Sequence, residues 1–237
     1  MCTFFDFTIE YTNTGFGLFS LTHFAWLIFA LACVLVTKRT YKKADDKKRA
    51  RLRRFTALFA LLLELSRAAL FMINGQYDLG VLPLHLCGMA VYFCALHALR
   101  GGKLLGQFLY AFCMPGAVSA LLFPDWTYYP AAHFMTFCAF LLHILIVCYV
   151  LMQTPTDILP DIRTAPRCLL LMLAIAAPVY IFDRLTGTNY MFLNWPSPGS
   201  PLEWFAFLGR PGYILGYLPI LAAAWAVMYF PFRKNHS

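Results

Sequence analysis

Long apolar runs alternate with short polar breaks along the chain, and there are seven of them: residues 18–37, 55–73, 80–99, 104–123, 131–152, 166–185 and 213–231. Each is close to the ~20 residues a helix needs to cross ~30 Å of hydrocarbon. The breaks carry turn formers and charge: "NGQYD" at 74–78, "RGGK" at 100–103, "FPDWTYYP" at 123–130 and "TPTDILPDIRTAP" at 154–166. This pattern predicts an all-α, polytopic membrane bundle of about seven transmembrane helices, one domain over residues 1–237. The longest connection, 186–212, is rich in Pro and aromatics and predicts a short interfacial helix around 201–208. No internal repeat is evident.

Charge gives the bundle a direction. Ten of the nineteen Lys and Arg lie in "KRTYKKADDKKRARLRR", residues 38–54, read as a basic cytoplasmic loop. With that loop in the cytoplasm, residues 100–103, 154–166 with Arg167, and the tail "FRKNHS" share its side, and together they hold sixteen of the nineteen. Arg184 and Arg210 fall on the other side and Arg67 lies within the second run. The asymmetry predicts the N-terminus outside, the C-terminus in the cytoplasm and 186–212 as an extracytoplasmic loop. The basic block accounts for much of the net charge of +8 and, beside a spanning helix, is a contact for anionic lipid headgroups. Nucleic acid is not a predicted partner.

Composition agrees. Hydrophobic residues make up 61% and charged residues 13%, against about 25% charged in soluble domains. The first seventeen residues contain two acids and no Lys or Arg, so they lack the basic start of a cleavable signal, and the first run is expected to be retained. Seven of the eight cysteines (33, 87, 94, 113, 138, 148 and 168) fall inside apolar runs with no CxxC pair. Such cysteines act as small hydrophobes, and neither disulfides nor a zinc site is expected. No nucleotide loop, haem signature or metal-ligand set is present, so no cofactor and no metal is predicted.

Charged groups inside spans are costly and are usually paired, facing the bundle or a cavity. Glu64 and Arg67, three apart, share one face of the second helix. His85 and Cys87 stand in the outer part of the third span, His133 near the outer end of the fifth and His143 near its middle. Asp183 and Arg184 close the outer end of the sixth, just before Asn189 and Tyr190. The bias toward the outer half predicts one polar cavity opening toward the outer leaflet.

The third run opens "LPLHLC", with Pro83 expected in its first turn, where a missing N–H is harmless. Cys87 would then lie near unpaired backbone donors and the positive end of the helix dipole, which favours thiolate. A nearby histidine as base would make Cys87 a candidate nucleophile. His85, two residues away, points ~200° round a regular helix, so the base is expected from another span, His143 or His133. His23 and His97 are expected to be interfacial or structural.

"LPLHLC", "AHFMTFCAFLLH" and "TGTNYMFLNWPSPGSPLEWFAFLGRPGYIL" together resemble the YwaF-like family of bacterial integral membrane proteins, to whose broader family the animal transmembrane protein 164 belongs. The resemblance spans the chain from first helix to last and implies a bacterial cytoplasmic-membrane protein. The animal relative is described as an acyltransferase that moves fatty acyl chains between phospholipids through a cysteine. By similarity that nucleophile falls on Cys87 and its partner on His143. Asn189 and Tyr190 match a family hallmark.

Three functions follow as expectations. A lipid-modifying enzyme would use Cys87 as nucleophile, His143, His133 or His85 for the proton, Arg67 for phosphate or oxyanion, and Glu64 to orient Arg67 or a histidine. Asp183, Asn189 and Tyr190 would line its phospholipid or lysophospholipid site. A transporter would instead need polar groups continuing into the inner half. A non-catalytic scaffold or receptor would use the polar cluster only to fasten helices.

Overall fold

The computed structural model describes residues 4–5 and 15–236, with side chains through residue 233; most of the N-terminal segment read as extracytoplasmic lies outside them. Among the described residues, seven helices carry the fold: α1 (Leu21–Lys43), α2 (Asp46–Ile73), α3 (Leu86–Arg100), α4 (Lys103–Leu122), α5 (Phe134–Gln153), α6 (Ala165–Thr186) and α7 (Tyr217–Tyr229). No strand occurs among the described residues. Six segments, Leu21–Lys43, Asp46–Ile73, Lys103–Leu122, Phe134–Gln153, Ile162–Thr186 and Gly212–Arg233, are long and apolar enough to cross a bilayer, and α3 is a shorter apolar helix.

Three local outcomes differ from the hydropathy pattern. The basic segment 38–54 is not a loop: α1 runs to Lys43 and α2 starts at Asp46, leaving Ala44 and Asp45 as the connection. The Asp45 side chain caps α2 by accepting from the Lys48 N–H at 2.8 Å, and helix-forming Lys and Arg extend both helices beyond their apolar parts. Second, α3 begins at Leu86: Leu82 (φ −58°, ψ 148°) is extended before Pro83, and the N-cap His85 (φ −64°, ψ 146°) is extended again, so the chain does not turn helical at Pro83. Residues 79–81 form a 3₁₀ turn, and Pro83 precedes the helix instead of opening it. A Cβ on Gly88 would lie 3.2 Å from the Pro83 backbone, so this glycine lets the entering chain lie against the first turn of α3. Third, α4 contains a π-helical turn at Leu109–Cys113, where the Ala111 carbonyl accepts from Trp225 Nε1 at 2.8 Å. A 3₁₀ helix, Pro201–Leu208, stands where a short helix is expected, with Trp204 and Phe207 exposed.

Helix α5 is the hub, with α1, α2, α3 and α4 packed against it. Ile146, Val147, Cys148, Tyr149 and Val150 are all buried in sequence, as in a helix enclosed on every side. Ala57, Ala60, Ala90, Ala111 and Ala117 are buried and let helices approach closely. The outward faces of α1 and α2 carry exposed Ile28, Leu31, Leu58 and Leu62, apolar surface suited to lipid.

Candidate functional site

At one end of the bundle, the turn 79–81 is tied from two directions. Arg67 of α2 donates Nη2 to the Val81 carbonyl at 2.8 Å, and the Tyr190 hydroxyl donates to the Leu79 carbonyl. Arg67 is held by Glu64 through two parallel bonds, Nε to Oε2 at 3.0 Å and Nη2 to Oε1 at 2.6 Å. A buried carboxylate thus has its counter-charge in bidentate geometry, and a third N–H of the guanidinium fixes the chain entering α3.

The loop after α6 folds around Asp183 and Asn189. Asp183 is fully buried, and its Oδ1 accepts from Thr188 Oγ1 at 2.7 Å and the Tyr190 N–H at 3.0 Å. Asn189 Oδ1 accepts from the backbones of Asn194 and Trp195 at 2.9 and 3.0 Å. These contacts shape the loop from within. Met191 and Phe192 are bulky residues at positive φ, 51° and 53°, a conformation that needs external support. His85 Nδ1 accepts from the Met191 N–H at 3.2 Å, while the hydroxyls of Tyr217 and Tyr213 donate to the Met191 and Phe192 carbonyls at 2.7 Å each.

Between this loop, the turn 79–85 and the α4–α5 connection lies a cavity of about 320 Å³, at the small end of ligand sites. His85, Asp125, Asn189, Tyr190, Phe192 and Trp195 are among its walls. Burial pushes the Tyr190 phenol up to about 12, and the protein mass around Asp125, itself exposed at the surface, raises its carboxyl above the usual range.

The two candidate imidazoles differ in a way their hydrogen bonds assign. His85 Nδ1 accepts a backbone N–H, so in the neutral ring the proton sits on Nε2. His143 Nδ1 lies 2.6 Å from the Ala139 carbonyl, which only accepts, so Nδ1 carries the proton and Nε2 keeps its lone pair. His143 stacks on Trp126, the residue that follows Asp125 in the chain, with centroids 4.9 Å apart. One ring is set to donate and the other to accept.

Cys87 is partly exposed in the first turn of α3. No hydrogen bond joins Cys87 to an imidazole among the described residues. His133 stands apart: fully buried, it caps α5 by accepting from the Met135 N–H at 3.1 Å and stacks on Tyr129. His23 bridges the Phe19 N–H and the Leu121 carbonyl, and His97 meets the Tyr149 hydroxyl at 2.9 Å.

The expectation that polar groups gather at one end is corrected. At the opposite end Tyr41, fully buried, donates to Asp157, and Arg53 Nη1 reaches the same carboxylate at 2.5 Å. Gln107 there fastens the 159–164 backbone through Leu159 and Asp161. The apolar run of α1 ends before Tyr41 and that of α2 begins after Arg53, so hydropathy assigned both to a loop. Among the cavity walls, the sequence reading passed over Asp125, a lone acid in the aromatic break "FPDWTYYP".

Comparison with known proteins gives one match: the model described as the TMEM164 family aligns with residues 18–229. No curated protein matches, and no solved structure does.

Proposed function

The chain belongs to the TMEM164 family, and from that premise we propose that this multi-pass membrane protein is an enzyme acting on lipid acyl chains through Cys87. The observation that carries the reading is the opposed proton placement of His143 and His85, the latter the N-cap of α3 two residues before Cys87. The resemblance of "LPLHLC" and "AHFMTFCAFLLH" to the YwaF-like proteins supports it. The charge asymmetry favours a chamber on the outer face of a bacterial cytoplasmic membrane, where a phospholipid enters sideways.

In this mechanism the Cys87 proton passes to His143 Nε2 as sulfur bonds to the ester carbonyl carbon. His85 Nε2–H donates to the developing oxyanion. The carbon–oxygen bond then breaks, and the leaving lysolipid oxygen takes the proton from His143. A second hydroxyl, of another lysolipid or of water, attacks the acyl thioester, yields its proton to His143, and the thiol is restored. Cys87 must move onto His143 for the first step, a closure that catalytic contacts commonly complete only with substrate bound. Arg67, Glu64, Asp183, Asn189 and Tyr190 hold the chamber's frame.

The test uses purified protein in phosphatidylcholine nanodiscs with a fluorescent acyl donor and lysolipid. A hydroxylamine-labile adduct on Cys87, lost in Cys87→Ala, and transfer lost in His143→Gln are expected. Unchanged transfer in Cys87→Ala overturns the proposal.

One observation favours a second reading, a transporter: polar side chains stand at both ends of the bundle. Between them lie buried Ala90, Val91 and Cys94 of α3 and Ile144, Ile146 and Val147 of α5, an apolar belt without a polar relay. Proton flux through proteoliposomes, abolished by Asp157→Asn, would support this reading over the enzyme.

A further inference from the structure

The basic hairpin joining α1 and α2 carries exposed cations in two stripes, with Arg39, Lys43 and Lys48 exposed off them. Around α2, Lys47, Arg51 and Arg54 fall within roughly 60° of one another, while Arg49 and Arg53 lie roughly 200–240° round from Lys47. The second pair is used internally: Arg49 Nε donates to the Tyr41 carbonyl at 3.2 Å and Arg53 binds Asp157. The first three are exposed. On α1, exposed Lys38 and Lys42 lie roughly 40° apart, and buried Tyr41 lies roughly 60–100° round from them. The ion pairs among the described residues are Arg49–Asp46, Arg53–Asp157 and Arg67–Glu64, so none of the five outward cations is in one.

Each stripe continues into lipid-facing hydrocarbon. Within roughly 80° around α1, the face of Lys38 and Lys42 carries Ile28, Leu31 and Leu35, exposed by 68%, 59% and 44%. The face of Lys47, Arg51 and Arg54 runs on into Leu58, Leu62 and Leu65, exposed by 50%, 58% and 51%. The change from leucine to cation takes about one helical turn on each helix, so the two basic stripes stand together at one depth. Helices α1 and α2 each pack on α5 more than on one another, so both outward faces stay open.

The geometry points to a docking site for one anionic diacyl phospholipid on these stripes, its phosphate held by Lys38, Lys42, Lys47, Arg51 and Arg54 and its tails laid along the leucines. The charge selects the head, and the unbroken apolar continuation selects a lipid over any soluble anion or nucleic acid. The site lies at the end of the bundle away from the cavity and is independent of the acyl-transfer reading.

The test compares two triple variants of the full chain, each losing three exposed cations at this end: K38Q/K47Q/R51Q on the stripes and R100Q/K103Q/R167Q off them. Each is reconstituted in phosphatidylcholine nanodiscs containing a minority of phosphatidylglycerol, transferred to detergent, and retained lipid is counted by native mass spectrometry. Wild type and the off-stripe variant are expected to retain phosphatidylglycerol preferentially. The stripe variant should lose about fivefold in affinity per cation removed, with its melting temperature unchanged. Equal losses in both variants would mean diffuse surface attraction, and no loss in either would mean no site; each result overturns the proposal.

Discussion

The guanidinium of Arg67 and the carbonyl of Val81, fourteen residues apart, meet at 2.8 Å, and through that bond an ion pair buried in α2 sets where the chain turns into α3. Glu64 is 3% exposed, so its charge depends on Arg67 for compensation.

Replacing Arg67 by Met leaves the Glu64 carboxylate buried and uncompensated. Truncating one partner of such a pair costs about 3–5 kcal/mol, whereas removing both charges together is much milder. Arg67→Met is therefore expected to lower the thermal midpoint in detergent sharply, and Glu64→Gln/Arg67→Met to recover most of the loss. A double variant no better than the single would show that the bond to Val81, and not the buried charge, dominates.

His133 and His143 share α5 and separate cleanly by role. His133→Ala removes an N-cap and is expected to cost about 1 kcal/mol of stability while leaving acyl transfer intact; His133→Asn, which restores a capping oxygen, should regain it. Chemical denaturation measures the first effect and nanodisc turnover the second. Loss of turnover in stable His133→Asn would move the base from His143 to His133.

Asp125 provides a pH signature. Although the residue is exposed, the protein around it desolvates the carboxyl and raises its native pKa above the ordinary ~3.9, so the folded state holds this proton more tightly than the unfolded state does. Between the unfolded and folded values, stability falls as pH rises. Asp125→Asn stays neutral throughout, so its thermal midpoint relative to wild type should climb from about pH 4 upward and then level off. A difference that does not vary with pH would mean that Asp125 is solvated as in an open loop.

The seven segments were legible because hydropathy over twenty residues is a strong signal in a chain this apolar. Pairing of Glu64 with Arg67 followed from their three-residue spacing. The start of α3 was not legible, since Pro83 is acceptable both inside a first turn and just before one, and only its packing against Gly88 decides. The backbone bonds of Asp183 and Asn189 were not legible, because polar groups near a span end look alike whether they face a cavity, as Asn189 also does, or a loop backbone. Tyr41 and Arg53 were hidden among ten cations, where no pattern marks the two arginines that turn inward to Tyr41 and Asp157. The proton positions on His85 and His143 depend on Met191 and Ala139, partners that only the folded chain supplies.

The fifteen residues of α3 reach roughly 22 Å, some 8 Å short of an average hydrocarbon core. Thinning of the bilayer is one way such a low wall is met, at a modest cost for each ångström of mismatch. The surrounding sheet of lipid would form a depression beside residues 79–85, drawing ester groups down toward the level of His85. A phospholipid drifting into that hollow would meet the thiol-bearing turn without being lifted out of the membrane.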